Sequence, residues 1–307
     1  MTATIVDISN IYSPPSDKQK EIPMVSIGMP VYNAENYLRE ALDSIICQTF
    51  TDFELIISDN GSTDSTAAIC REYAKRDKRI IYHRNIKNLG AAWNFNRVVE
   101  LARGKYFRWM SHDDICSPTC FEECVNVLEE RPDVILCYSD TPLIDADGHN
   151  IRTIAADPKL ESASAFIRFG QSWRYPSQVI VFGMVRMSEF KHTGLLGNFS
   201  SSDRVLAGQL ALRGKLHGVH KDLFLYRSHS EQSTGSKYPT RKVRAAWFDP
   251  NNKNTITFPH WRLLLEFSKS IWNAPTTLLE KVYCYGSMVR WMIRNRKKLF
   301  SNLILKG

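Results

Sequence analysis

At 307 residues, 43% hydrophobic and 23% charged, the chain has a folded globular composition and length for one large domain or two small ones. No stretch reaches the roughly 18 uninterrupted apolar residues of a membrane span, and Asp7, Ser9 and Asn10 interrupt the N-terminus before a signal-peptide core can form, so a cytoplasmic location is expected. Of the net charge of +8, the segment from Ile271 to Gly307 carries +6, seven basic residues against Glu280, which excludes a uniformly basic nucleic-acid binder.

Residues 1–22 hold Pro14, Pro15 and Ser16 without an apolar period and read as a flexible leader. Strands are then expected at Val25–Val31, Phe53–Ser58, Ile80–His83, Tyr106–Met110 and Val134–Tyr138. Between them, helical spacing spans Asn36–Gln48, Ser65–Arg76, Ala91–Ala102 and Pro118–Arg131. This alternation predicts a mostly parallel sheet with helices on both faces. Ligands of such sheets bind beyond the carboxyl ends of the strands. Tyr32 and Asn33, Asp59 and Asn60, and Asp113 and Asp114 all follow strand ends, so three polar clusters are expected on one edge. Beyond Asp140 the pattern weakens to a strand at Val179–Val185, a helix at Ser201–Arg213 and a strand near Leu223–Tyr226. Glu231–Pro259 is polar and irregular. From Trp261 the chain reads as two helices separated by Pro275.

Adjacent Asp113 and Asp114 repel each other unless a cation neutralises them, and hard carboxylate oxygens suit magnesium or manganese. The same pair also reads as a solvated turn that caps the helix after Pro118. Asp59-Asn60-Gly61-Ser62-Thr63-Asp64 is either a pocket in which Asp59 accepts hydrogen bonds from a base or ribose, or a polar turn. Neither a dinucleotide fingerprint nor a phosphate loop is present. The seven cysteines are odd in number and scattered, without a disulfide framework. Cys116, Cys120 and Cys124 read as small packing residues.

Taken together, the clusters resemble glycosyltransferase family 2, from about Met24 to Ser233. The resemblance rests on Pro30-Val31-Tyr32-Asn33, on Asp59 to Asp64, and on Asn88-Leu89-Gly90 with Asn94. Gly104-Lys105-Tyr106, Asp113-Asp114 with Pro118, and Tyr226-Arg227-x-His229 complete it. It implies the α/β fold called GT-A, a mostly parallel central sheet with helices on both faces, plus a C-terminal helical tail. It implies a catalytic domain over 23–235, with a nucleotide-sugar half over about 23–140 and an acceptor half over about 141–235. Residues 236–307 form a linker and basic helical tail.

The implied activity is inverting transfer of a single sugar from a nucleoside-diphosphate sugar, UDP foremost, to a hydroxyl of a glycan or lipid-linked acceptor. By the same resemblance Pro30, Val31, Tyr32, Glu35, Asp59, Asn88, Gly90 and Asn94 belong to the nucleotide site. Asp113, with Asp114 beside it, would hold a divalent metal (Mn2+ or Mg2+) on the diphosphate. Arg227 and His229 could reach the diphosphate, His229 as a further metal ligand. Ser111 stands where the family's motif has its first acid. Asp203 matches the general base, in the first turn of its helix where the dipole favours the ionised form. Ser202 replaces the usual preceding glutamate, and an ordinary N-cap is the other reading of this run.

The tail repeats apolar residues at Leu278, Val282, Tyr285, Val289, Met292, Ile293, Phe300 and Leu303 among arginines and lysines. It reads either as an amphipathic helix on an anionic membrane, making the protein peripheral, or as a helix packed on the domain. Two other functions compete with transfer. One is a non-catalytic nucleotide-sugar-binding protein of the same fold. The other is a nucleotidyltransferase, which would carry a glycine-rich basic loop after the first strand, unlike Pro30 to Glu35.

Overall fold

Seven consecutive buried positions make Val25–Val31 a central strand, and Phe53–Asp59 repeats the pattern. The computed structural model describes residues 22–230, 241–248, 259–297 and 299. In chain order these form β1 (Val25–Val31), α1 (Leu38–Ile46), β2 (Phe53–Asp59), α2 (Thr66–Arg76), β3 (Ile80–Arg84), α3 (Ala91–Leu101) and β4 (Tyr106–Trp109). Then follow β5 (Ile115–Cys116), α4 (Cys120–Glu130), β6 (Val134–Ile144), β7 (Asn150–Ile154), α5 (Ala165–Ser172), α6 (Ser177–Val181) and β8 (Met184–Arg186). The last are α7 (Met187–Phe190), α8 (Ser202–Arg213), β9 (Lys215–Asp222), β10 (Phe224–Arg227), α9 (Arg241–Phe248), α10 (Pro259–Asn273) and α11 (Leu278–Arg294).

The strands run in the order β3-β2-β1-β4-β8-β6-β10-β5, with β7 and β9 also paired to β6. β1, β2, β3 and β4 are mutually parallel, and β8 enters antiparallel between β4 and β6. Helix α3 packs on β1 and β2, while α4 packs on β6 and β8. The α/β reading of the sequence holds.

The strand expected over Val179–Val185 divides in the structure. Ser177–Val181 winds into α6 directly after Pro176, and only Met184–Arg186 pairs, as β8. An unbroken apolar run has no period that separates buried helix from strand. Gly183 marks the switch, because a Cβ there would lie 2.7 Å from Leu136 Cδ2.

A second core joins the C-terminal helices to the domain. Phe169 of α5 and Val205 and Leu212 of α8 meet Leu263, Phe267 and Ile271 of α10 and Cys284 and Met288 of α11. Each such buried side chain contributes about 1.5–3 kcal/mol. Of the residues picked out by the tail's spacing, Tyr285 and Met292 turn inward, whereas Leu278, Val282, Val289 and Ile293 are exposed. Phe300 and Leu303 lie outside the described residues. Among the described residues no helix is long and apolar enough to cross a membrane.

Candidate active site

Register brings the three expected clusters to one edge. Val31 of β1 pairs with Asp59 of β2, and Gly28 pairs with Trp109 of β4, so the loops after all three strands open on the same side. The first two loops are laced together. Asn33, at φ 49°, donates its N–H to Ser62 Oγ (3.0 Å), and its Oδ1 accepts from Thr63 N (2.9 Å). Glu35 Oε2 accepts from Ser65 N (2.9 Å), and Asp64 Oδ2 accepts from Glu35 N (3.2 Å). Asn60 ties in the third loop, accepting from Leu89 N (3.0 Å) and donating to Asn88 Oδ1 (2.9 Å) and Gly90 O (3.1 Å). Gly61 passes at φ +77° with Lys87 backbone 3.0 Å from where a Cβ would be, a path for glycine alone.

Within this frame Asp59 is fully buried. Its Oδ1 accepts from Ser62 N (2.8 Å), and its Oδ2 accepts from Tyr82 OH (2.7 Å) and lies 3.3 Å from Arg84 Nε. Arg84 is exposed and its guanidinium offsets the buried Asp59 charge; Tyr32 presents a half-exposed ring at the end of β1. Sequence reading passed over Tyr82 and Arg84, although β3 pairs Arg84 directly with Asp59.

The acid after β4 forms the second part. Met110 N donates to Gly28 O (2.9 Å), which fixes the start of the loop. Asp113 Oδ1 accepts from Ser111 Oγ, and Asp113 Oδ2 lies 3.0 Å from His229 Nε2. Burial works against an ionised Asp113, but neighbouring His112 and the hydrogen bonds from His229 and Ser111 outweigh it and hold the carboxyl at about 2. The carboxylate is a hard oxygen donor of the kind that magnesium or manganese takes, and the neutral imidazole is a borderline donor that could join it only by giving up its hydrogen bond to Asp113. Tyr37 stands beside it, its ring centroid 4.8 Å from that of His229.

Asp203 lies in the first turn of α8, after Ser201 turns the chain at φ 69°, left-handed and uncommon for serine. Ser177 Oγ donates to Asp203 Oδ2. Ser177 opens α6, which leads into β8, and β8 runs antiparallel to β4. The start of β8 therefore lies beside the end of β4, the strand that leads into the Asp113 loop.

Several expected site residues are placed otherwise. Asn94 is buried, with Nδ2 donating to Ser58 O (2.8 Å) and Oδ1 accepting from Ser58 Oγ (2.6 Å), so it clamps β2 to α3 and presents nothing to a ligand. Asn88 and Gly90 are engaged by the Asn60 knot. Pro30 and Val31 are buried in β1 and reach the edge through backbone alone. Arg227 is 2% exposed: Nε donates to Asp113 O (2.9 Å), Nη1 to Ala146 O (3.0 Å) and Nη2 to Glu40 Oε2 (2.6 Å). With those nitrogens engaged, it fastens the loop instead of meeting a diphosphate. Asp114 is fully buried and accepts from Arg227 N (2.9 Å). Burial, and then the adjacent Asp113 charge, push its carboxyl well above the ordinary range, and its Oδ2 is buried without a hydrogen-bond partner among the described residues.

A further acidic group, Asp145, Asp147 and His149, lies in the β6–β7 turn. There Asp145 Oδ1 accepts from Asp147 N (3.0 Å) and His149 N (2.9 Å), which closes the turn. Asp145 and its neighbour Ala146 also offer Arg227 their carbonyls.

Comparison with known proteins bears on this arrangement. A family model described as glycosyl transferase family 2 matches residues 26–192. A Rickettsia typhi protein named as an uncharacterized glycosyltransferase is 37% identical over 139 residues, 45% of this chain and 42% of its own. A Bacillus subtilis protein with the provisional name glycosyltransferase EpsH is 36% identical over 217 residues, 68% of this chain and 56% of its own. The matched stretch thus spans about half the length of these curated relatives or less. Among solved structures, S. aureus TarS 1–349 in complex with UDP-GlcNAc superposes with a TM-score of 0.66 at 15% identity, covering 91% of this chain and 79% of that one. The mannosyltransferase PcManGT from Pyrobaculum calidifontis, in complex with GDP-Man and Mn2+, gives 0.52 at 15% identity, covering 93% and 86%. At that identity the likeness speaks for the fold, which is GT-A.

Proposed function

The chain belongs to glycosyltransferase family 2, and we propose that it is an inverting transferase that moves one sugar from a nucleoside-diphosphate sugar, UDP foremost, to a hydroxyl of a glycan or lipid-linked acceptor. The observation that carries this reading is the pairing of Asp113 with His229 in the loop after β4, on the same strand-end edge as the buried Asp59. The donor falls to the half over about 23–140 and the acceptor to the half over about 141–235.

In this reading the Tyr32 ring and the Arg84–Asp59 pair receive the nucleoside. Asp113 and His229 hold a divalent cation, Mn2+ or Mg2+, which when bound stabilises charge on the leaving diphosphate as a Lewis acid. Asp203 takes the acceptor hydroxyl proton as that oxygen attacks the anomeric carbon from the face opposite the diphosphate. The new glycosidic bond forms as the carbon–diphosphate bond breaks, and the configuration inverts. Ser177 fixes the Asp203 rotamer by its hydrogen bond.

The test is calorimetric binding of UDP, GDP and dTDP with and without manganese, for the native chain and Asp113→Ala, followed by release of the diphosphate from the matching sugar nucleotides. One diphosphate bound in a manganese-dependent way, lost in the variant, supports the donor site. The competing reading, a non-catalytic binder, rests on Ser111 at the first acidic position of the motif. Binding without release or transfer would favour it.

A further inference from the structure

Helix α11 exposes apolar surface that its own packing leaves uncovered. Cys284 and Met288 face the second core, whereas Leu278, Val282, Val289 and Ile293 are 78%, 58%, 53% and 58% exposed. At about 3.6 residues per turn these four project within about 60° of one another, their centre turned about 130° from that of the buried pair. Trp272 is also 71% exposed, and Lys281 Nζ donates to its carbonyl (2.7 Å), which sets the end of α10 beside the first turn of α11.

The charge around the stripe has one sign. From Leu278 to Lys297 there are five basic residues and one acid. That acid, Glu280, is turned onto α5, where its Oε1 accepts from Ala165 N (3.1 Å). Arg290, Arg294, Arg296 and Lys297 are exposed at the stripe's flank and far end. A water-facing helix would carry polar residues in place of the stripe. Apolar residues rimmed by cations complement acyl chains beneath anionic headgroups.

We propose that this face of α11 seats the protein on an anionic lipid surface, the stripe at the acyl boundary and the basic residues among the phosphates. The seat adjoins the active-site end of the molecule. Trp261 Nε1 donates to Leu299 O (3.3 Å), and the Arg262 guanidinium lies 5.1 Å over the Phe199 ring, just before the turn into α8. The carboxyl end of α11 therefore stands at the end of α8 that bears Asp203.

Flotation of the full chain with vesicles of phosphatidylglycerol and phosphatidylcholine, lacking acceptor and nucleotide, reads the seat without reference to sugar transfer. The chain should float with these vesicles, stay behind with phosphatidylcholine alone, and be released as salt is raised. Val289→Ser with Ile293→Ser should lower partitioning at least tenfold while leaving the thermal midpoint unchanged. Arg290→Glu and Arg294→Glu should each weaken it roughly fivefold or more. Failure to float with anionic vesicles, or equal flotation of the variants, overturns the proposal. So does a dimer in light scattering that the serine variant dissociates while vesicles are ignored, which would assign the face to a second copy.

Discussion

Arg227 Nε donates to the main-chain carbonyl of Asp113 across 2.9 Å, the two standing 114 positions apart in sequence. The bond joins the last residue of β10 to the loop that carries the acid, and the Tyr37 ring stacks 4.7 Å from the guanidinium. The Asp113 carboxylate is thus aimed at His229 by a cation that touches neither carboxylate oxygen of Asp113.

Replacing Arg227 with Lys removes the fan of donors while keeping the charge. Urea unfolding should show a loss of about 2–3 kcal/mol, and calorimetry about a tenfold loss of manganese-dependent diphosphate affinity.

Asp114 gives a pH signature. Its folded carboxyl lies well above the ordinary 3.8, so the native state keeps a proton that the unfolded chain has released. Its contribution to stability is complete below that ordinary value and is lost as pH rises toward the folded one. Asp114→Asn retains an acceptor for Arg227 N and removes this slope. Unfolding at about pH 5 and about pH 8 should show the variant gaining on the native chain at the higher pH. An unchanged difference would mean that Asp114 is ionised in the fold.

At the candidate base, Asp203→Asn should lower the transfer rate by about a hundredfold to ten-thousandfold, with diphosphate affinity unaltered. Ser177→Ala should give a smaller loss in the same step, since the carboxylate remains and only its orientation is freed. Single-turnover transfer beside calorimetry separates these outcomes from a folding defect.

Asn94→Ala should cost about 2–3 kcal/mol in urea unfolding, because Ser58 loses both of its partners in a buried site. Diphosphate affinity of the folded fraction should match the native chain, in keeping with a side chain turned away from the edge.

The donor side was readable because short-range rules decide it. β1 and β2 are continuous apolar runs, and each ends on polar residues that parallel pairing must bring together. The part beyond Asp140 was read less well. Ser177 and Asp203 meet across 26 residues, and Glu40 and Arg227 across 187. Nothing local states that Arg227 turns inward; an arginine near an acidic loop reads the same whether it faces a phosphate or a carbonyl. β9 escaped notice because Lys215–Asp222 has neither apolar alternation nor a buried run. The tail's spacing gave a helix correctly, but it mixed residues of two faces, and only packing against α5 and α8 tells them apart.

Strand β6 is eleven residues long, and its early part pairs with β8 at Leu136 and Cys137 while its later part pairs with β10 at Leu143 and Ile144. The two regions of the chain therefore share one strand, with a register shift between them at Ser139 and Asp140. Clamshell closure would have to snap that strand's ladder, so the span from the Asp113–His229 pair to the strands beyond β6 is set like marks on a ruler. Opening and sealing of the mouth then falls to the loops beyond the strand ends.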